Sequence, residues 1–372
     1  MTKFLASLAL LVALVSCRGD IYVDDLPASA VTRPEQGVES FYLLDEGNMG
    51  SNRAAIDFFD AADGTFTRSV FTARNPGEVK ELGDVGNDLT IYGSKMYAVI
   101  NCSHKVQVLD AASCRSLAKI DVPNPRYVVG DGEFIYVSSY VSPVQVDPTA
   151  PRGAIFKIDT LTYTIVDRVD VGYQPEQMAV IGRRLYVANS GGYRAPDYDT
   201  TISVISLSTF AVIRSLDIAP NLHRLAADPL GRLLVTSRGN YASIPARLYA
   251  VDPSSGDILA TSDVPVTNFA VNGDRVYTFA ADRNDITAST QIAYNTLNLR
   301  DLKKNGTFVP DSLSRTIKMP YAIAVGPRSG RIYLTDARNY VSSGFIHCIR
   351  PDGTPLWTAK TGDIPCSIAF LP

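Results

Sequence analysis

The chain has only three histidines, His104, His223 and His347, among its 372 residues, and acid–base chemistry near neutral pH relies on that side chain more than on any other. His347 lies in the alternating stretch FIHCI, so a period of two assigns it to a strand and to a structural role. His104 and His223 fall in polar connections. Either can hydrogen-bond a ligand or ligate a metal, but two scattered imidazoles define no metal site. No G-x-S-x-G elbow, strand–helix phosphate loop, calcium loop or Cys-x-x-Cys pair occurs in the sequence. Asp197 and Asp199 of PDYD are able to touch a cation, yet read as a solvated turn. The residue set predicts no enzyme, no bound metal and no cofactor.

What the connections do carry is binding chemistry. One set supplies Asn48, Asn101, His104, Tyr140, Tyr193, Arg194, Arg238, Asn240, Tyr241, Arg283, Arg338, Asn339 and Tyr340. A second set supplies Arg126, Tyr173, His223, Asn268 and Tyr321, with Tyr127, Gln174 and Arg224 beside them. Tyr, Arg and Asn are the types that build interface anchors and polar rims. With 35 basic and 38 acidic residues and no basic patch, nucleic acid is excluded as a partner.

These residues must be held by repeated strands. The word aliphatic-Tyr-aliphatic recurs around Tyr42, Tyr97, Tyr136, Tyr186, Tyr277 and Tyr333, and LLV at Leu234 fills the gap between the fourth and the fifth. The seven centres lie 39 to 56 residues apart. Four strands and their turns fit that length, which is the blade size of a β-propeller. Before each word comes a tight turn such as Gly-Arg-Arg at 182 or Asn-Gly-Asp at 272, and before that an apolar stretch. After it come a variable loop, an alternating strand ending in Asp, and a last strand. The expected fold is all-β: a seven-bladed propeller of four-stranded antiparallel blades over residues 39–372, with no helix. The chain enters on a second strand, SFYLLDEG, and leaves on a first strand, CSIAFLP. The C-terminal strand should therefore complete the blade formed by 41–45, 54–60 and 66–73.

The loops after the word are long, at 139–153, 189–200, 237–246, 281–290 and 336–344, whereas the turns at the other end are short. Long loops carry closure entropy and cluster where proteins bind. All of them open on one end of the ring, which makes that face the candidate site.

The N-terminus has a different logic. Lys3 precedes the run FLASLALLVALV, which is too short to span a bilayer and suits a signal peptide over residues 1–16. LVSC at 14–17 resembles the bacterial lipobox, which implies cleavage before Cys17 and lipidation of its thiol. An ordinary signal peptide that happens to contain Cys17 is the other reading. Residues 17–38 read as a tether, and the early Asp20, Asp24 and Asp25 resemble surface-export signals of Bacteroidetes lipoproteins. The remaining cysteines, 102, 114, 348 and 366, have no regular spacing and read as small buried apolar residues.

RRLYVANSGGY with ISVISLSTFAVIRSLDIAPN resembles the YncE-like propellers. LLDEGNMGSNRAAIDFFDAADG at 43, LGDVGNDLTIYGSKMYAVINCSHKVQVLDAASC at 82 and YAIAVGPRSGRIYLTDARNYVSSGFIHCIRPDG at 321 are similar to the BtuG-type surface lipoproteins. That resemblance implies capture of cobalamin or a related corrinoid, transfer to a TonB-dependent outer-membrane transporter, and an outer-membrane, cell-surface location through the lipid anchor. A surface propeller serving as a protein or glycan interaction module is the alternative. A lactonase-like enzyme lacks its acid, base and metal groups.

Overall fold

The computed structural model describes residues 28–78, 81–284 and 289–372, leaving out the side chains of 282–284, 289 and 290. The expected signal peptide, Cys17 and the first part of the expected tether lie outside the described residues. Seven antiparallel sheets are arranged around one axis, and in each the strand nearest the axis is followed outward by the next three. The first blade is completed by both termini. Its inner strand is Pro365–Phe370, paired with Phe41–Asp45 and followed by Ala55–Asp60 and Thr65–Thr67. The inner strands of the other six are Gly86–Tyr92, Pro125–Asp131, Pro175–Ile181, Leu222–Ala227, Asn268–Asn272 and Pro320–Val325. Closure by the C-terminal strand is as the sequence predicts.

The repeated word has a physical job. Every Tyr of the word, and Leu234, is at most 2 % exposed. Each sits in a different hydrophobic cluster, and each cluster joins two neighbouring blades. Tyr97 packs with Val99 and Val108 of its own blade and with Ile135 and Val137 of the next. Leu234 plays the same part against Phe269 and Val276. A twisted strand with a large residue in the middle fills the seam between two sheets. At the short-turn end, Gly93, Gly132, Gly182 and Gly273 all adopt φ near +60° with open space where a Cβ would point. The constraint there is the hairpin backbone, not crowding.

The structure corrects the sequence reading in three places. Thr65–Thr67 is the whole outer strand expected over 66–73. Beyond it Ser69 takes a left-handed conformation and Val70–Arg74 form a single helical turn. Val70 and Phe71 are consecutive, and a turn of helix lets both enter the seam between the first two blades. Asn75 then ties that turn to the neighbouring blade, donating to Phe71 O at 2.8 Å and Cys114 O at 2.9 Å. A second short helix, Asp311–Ser314, buries Leu313 between the last two blades.

The ring also begins before residue 39. Ser29–Ala30 adds a fifth strand beside Thr65–Thr67, and Val31 and Val38 pack against the cluster around Phe41 and Trp357. Glu35 pairs with Arg331, and Glu39 accepts from Ser329 N at 2.8 Å. Finally, Arg275–Asn284 pairs with Ser289–Asn298 over ten positions, so the expected loop 281–290 is largely ladder. Arg283 is a strand residue opposite Thr290, outside the loop set.

The hydroxyl of Tyr97 is buried without a partner, whereas Tyr186 Oη donates to Pro253 O at 3.2 Å. Tyr97→Phe removes an unsatisfied polar atom and should leave the urea unfolding midpoint unchanged or raise it. Tyr186→Phe loses a hydrogen bond and should cost about 1 kcal/mol. Equal losses in the two variants would contradict this assignment.

Candidate functional site

The inner strands do not run straight into the loop face. At that end, six of the seven shift register against the second strand, between Gly86 and Asp88, Pro125 and Val128, Pro175 and Met178, Leu222 and Leu225, Pro320 and Ile323, and Pro365 and Ser367. A bulge leaves a residue unpaired and re-aims its side chain. Proline opens four of these strands, where the lack of an N–H donor is harmless. The irregularity delivers Asn87, Arg126, His223, Tyr321 and Cys366 to one cavity at the mouth of the ring, and Asn268 reaches it from the one regular inner strand. The cavity has a volume of about 330 Å³. Below it, a channel of about 260 Å³ continues along the axis, and Arg224 lines both.

Glu176 organises one side of the mouth. Its side chain is 1 % exposed, and it stands 3.3 Å from Arg126 Nη2 and 3.5 Å from Arg238 Nη1. Tyr140 Oη donates to Glu176 Oε1 at 2.6 Å, and the Arg126 guanidinium lies 4.7 Å from the centre of the Tyr140 ring. Burial opposes ionisation of Glu176, but the two guanidiniums and the tyrosine outweigh it and hold the carboxyl below its ordinary value of 4.5. Burial likewise works against the charge of Arg126, and Tyr140 and Glu176 more than restore it. This is a paired, hydrogen-bonded buried charge cluster, which fixes the direction of two arginines.

His223 lies beside them. Tyr127 Oη is 3.0 Å from its Nε2, while Nδ1 is buried without a partner. Burial, followed by the charges of Arg238, Arg224 and Arg126, pushes its pKa well below 6.5, so the ring is neutral. Across the mouth Tyr321 Oη donates to Glu46 Oε2 at 2.5 Å. Burial raises the Glu46 carboxyl above its usual range, and the bond from Tyr321 offsets part of that rise.

The residues expected from sequence divide into three groups. Asn101, Arg126, Tyr193, His223, Arg238, Asn268, Tyr321 and Tyr340 line the mouth cavity. His104 lies instead in an adjoining groove of about 670 Å³, which shares Met49 and Val144 with the mouth. The others shape the loops. Arg194 donates to Ala150 O at 3.0 Å and stacks 3.9 Å from the centre of the Tyr173 ring. Asn240 Oδ1 accepts from Ile244 N at 2.8 Å, and Asn339 Oδ1 from Ser342 N at 2.9 Å. Asn48 closes a turn through Ser51 N at 2.9 Å, Arg338 lies 5.5 Å from the centre of the Phe345 ring, and Tyr241 stands exposed beside Tyr198. The Arg283 side chain is outside the described residues.

Glu46, Glu176 and Met49 were not among the expected residues. The repeated Pro-x at the start of inner strands, in NPRYV, QPEQM, MPYAI and IPCSI, marks the position that holds Glu176. A signal for Met49 is absent: it is one of several residues in a polar loop. Among the described residues, no group of three or more His, Cys, Asp and Glu is disposed to hold a metal ion, and Cys102, Cys114, Cys348 and Cys366 are free. No helix among them is long and apolar enough to cross a membrane.

Glu176→Gln leaves the largely buried Arg126 and the partly exposed Arg238 without their anion and should cost about 3 kcal/mol at pH 7. Because folding lowers this carboxyl below 4.5, its contribution is complete above pH 4.5 and is lost as pH falls through the folded value. The gap in melting temperature between the wild type and Glu176→Gln should therefore narrow below pH 4.5. A gap that stays constant down to pH 3 would refute the pairing.

Among solved structures the chain is similar to the Kuenenia stuttgartiensis hydrazine synthase, at 17 % identity and a TM-score of 0.56, over 76 % of this chain and 89 % of that one. It is also similar to the Neurospora crassa Pan2 WD40 domain, at 9 % identity and a TM-score of 0.54, over 75 % and 80 %. At such identities the likeness is one of fold. No curated protein matches the chain. A family model matches residues 39–322, from the entry to the first blade as far as the inner strand of the last, and the chain belongs to that family, the domain of unknown function DUF5074.

Proposed function

We propose that the mouth of the ring captures a bulky small molecule without transforming it, and that a corrinoid such as cobalamin is its ligand. The observation that carries the reading is a polar well set in an apolar collar. Met49 at 61 % exposure and Tyr340 at 39 % line the mouth beside its guanidiniums and amides, and Val146 at 72 %, Tyr241 at 72 % and Val341 at 68 % stand exposed on the loops of the same end. Isolated apolar residues on a surface are ordinary, but several on one rim make an apolar patch. A flat macrocycle edged with amide groups suits such a collar, with its body on the rim and its polar arms in the well. The mouth alone is too small for the whole molecule, and the His104 groove behind Met49 and Val144 extends the footprint.

The resemblance to BtuG-type lipoproteins supports the rest of this reading. Lipidated Cys17 anchors the propeller to the outer membrane at the cell surface, and the loop face passes its ligand to a TonB-dependent transporter.

Calorimetric titration of the purified full chain with cyanocobalamin tests the proposal. Saturable binding is expected with Kd of roughly 1 μM or below. Replacing Met49 and Tyr340 by Ala should weaken it by about tenfold with little change in melting temperature, since both side chains are exposed. No heat with the corrinoid would sink this ligand. Binding to an immobilised glycan or to a protein partner, abolished by the same two substitutions, would then make the face an interaction module.

A further inference from the structure

We infer that the captured ligand presents an oxyanion, a carboxylate or a phosphate, to Arg224 and His223 at the floor of the mouth. This deepens the reading of the mouth as a small-molecule site and rests on it.

The well holds three guanidiniums whose situations differ. Arg126 and Arg238 converge on Glu176. Among the described residues Arg224 has no carboxylate within ion-pairing distance; its guanidinium lies 5.5 Å from the centre of the Tyr127 ring. Its Nε is buried with no hydrogen-bond partner, and so is Nδ1 of the adjacent His223. Each such atom is destabilising unless something binds to it.

The acidic groups nearest to Arg224 are already committed. Glu46 is held by Tyr321 Oη at 2.5 Å. Asp88 accepts from Val128 N at 3.0 Å and from Ser367 Oγ at 3.2 Å. Burial raises both carboxyls above their ordinary range, which weakens them as counterions. Arg224 lines both the mouth and the channel, as Asn268 and Cys366 do, and of the three it is the one cation, at the depth that a projecting group reaches while the ligand body stays on the collar.

The chemistry of the pair is complementary to an oxyanion. A guanidinium offers a planar fork of donors that matches a carboxylate or phosphate edge. The neutral His223 adds a donor in the tautomer where Tyr127 Oη gives its proton to Nε2 and Nδ1 keeps its own. Tyr127 therefore acts as the positioning residue for that tautomer.

The test titrates the full chain with sodium phosphate and, separately, sodium acetate, against sodium chloride at equal ionic strength, and follows the melting temperature. A saturable rise with phosphate or with acetate is expected, and the anion that produces it identifies the source. Arg224→Gln should weaken that response at least tenfold. Arg350→Gln, in the turn Arg350–Gly353 away from the mouth, should keep it. Wild-type crystals soaked in the responding anion give a readout independent of any variant, with density expected within about 3 Å of Arg224. A response to neither anion, equal responses in both variants, or density only elsewhere would overturn the inference. The two readings also fail separately. Cyanocobalamin binding that is unchanged in Arg224→Gln removes the anion subsite and leaves capture intact. An anion response lost in Arg224→Gln, with no corrinoid heat in the wild type, does the reverse.

Discussion

The packing of one large residue from each second strand into the seam beside it is the interaction on which the rest of this molecule depends. A propeller blade cannot stand alone, because a four-stranded sheet buries neither face by itself. Here each seam contains one member of the repeated word, and every seam has one. The residue is Tyr in six seams and Leu234 in the seventh, so volume in the right place is the common requirement, and a hydroxyl bond such as that of Tyr186 is an addition made in some seams only. Tyr97 makes this plain: its hydroxyl has no partner, and burial pushes its pKa up to about 12. With the seams filled, the blades cannot rotate against one another, and the loop ends of the inner strands come to fixed positions around the axis. Closure depends on the same logic. Pro365–Phe370 pairs with Phe41–Asp45, and the aromatic cluster of Phe41, Phe59, Tyr333 and Trp357 welds the last blade to the first.

Because the scaffold is rigid, the mouth can hold groups that would otherwise seek water. A bulge at nearly every inner strand turns a regular ladder residue into one that faces the axis. The cost is a lost backbone pair, and it falls at the strand end, where a proline or a loop already interrupts the ladder. This separates two duties that a straight strand would force on the same residues. The ordered part of each strand packs the seams, while the irregular first few positions carry the chemistry.

That division explains how much was readable from sequence. The seams were legible because packing repeats: one word, seven times, at a spacing set by four strands. The closing strand was legible because the chain begins and ends at different phases of the same period. The mouth was only half legible. His223, Arg126, Asn268 and Tyr321 could be placed because a residue just before an inner strand must lie at the loop end. Glu176 could not, because nothing in QPEQM marks its carboxylate as the partner of Arg126 and Arg238, which come from the two flanking blades. Loop residues such as Asn240 and Asn339 looked like binding groups because an amide that bonds its own backbone has the same letter as one that faces a ligand. The first helical turn was missed because Val70 and Phe71 sit in a run that alternates well enough to pass for a strand.

The charges at the mouth are not spread evenly around the ring. Arg126, Glu176, Arg224 and Arg238 all come from the third, fourth and fifth blades, whereas the sixth and seventh supply Asn268 and Tyr321, and the first two supply Glu46, Asn87 and Asn101. Since Glu176 is consumed in binding two arginines, the first of these sides keeps excess positive charge, and the other presents amides, a phenol and a carboxyl that burial disposes toward its neutral form. The well is therefore polarised across its diameter. A ligand with one anionic arm and several amide arms has a single rotation about the axis that satisfies both halves. The sevenfold repeat of the fold is thus broken at the one layer where orientation matters, and it is broken by side chains at strand ends and in loops, many of them at bulges, that the packing of the seams leaves free to vary.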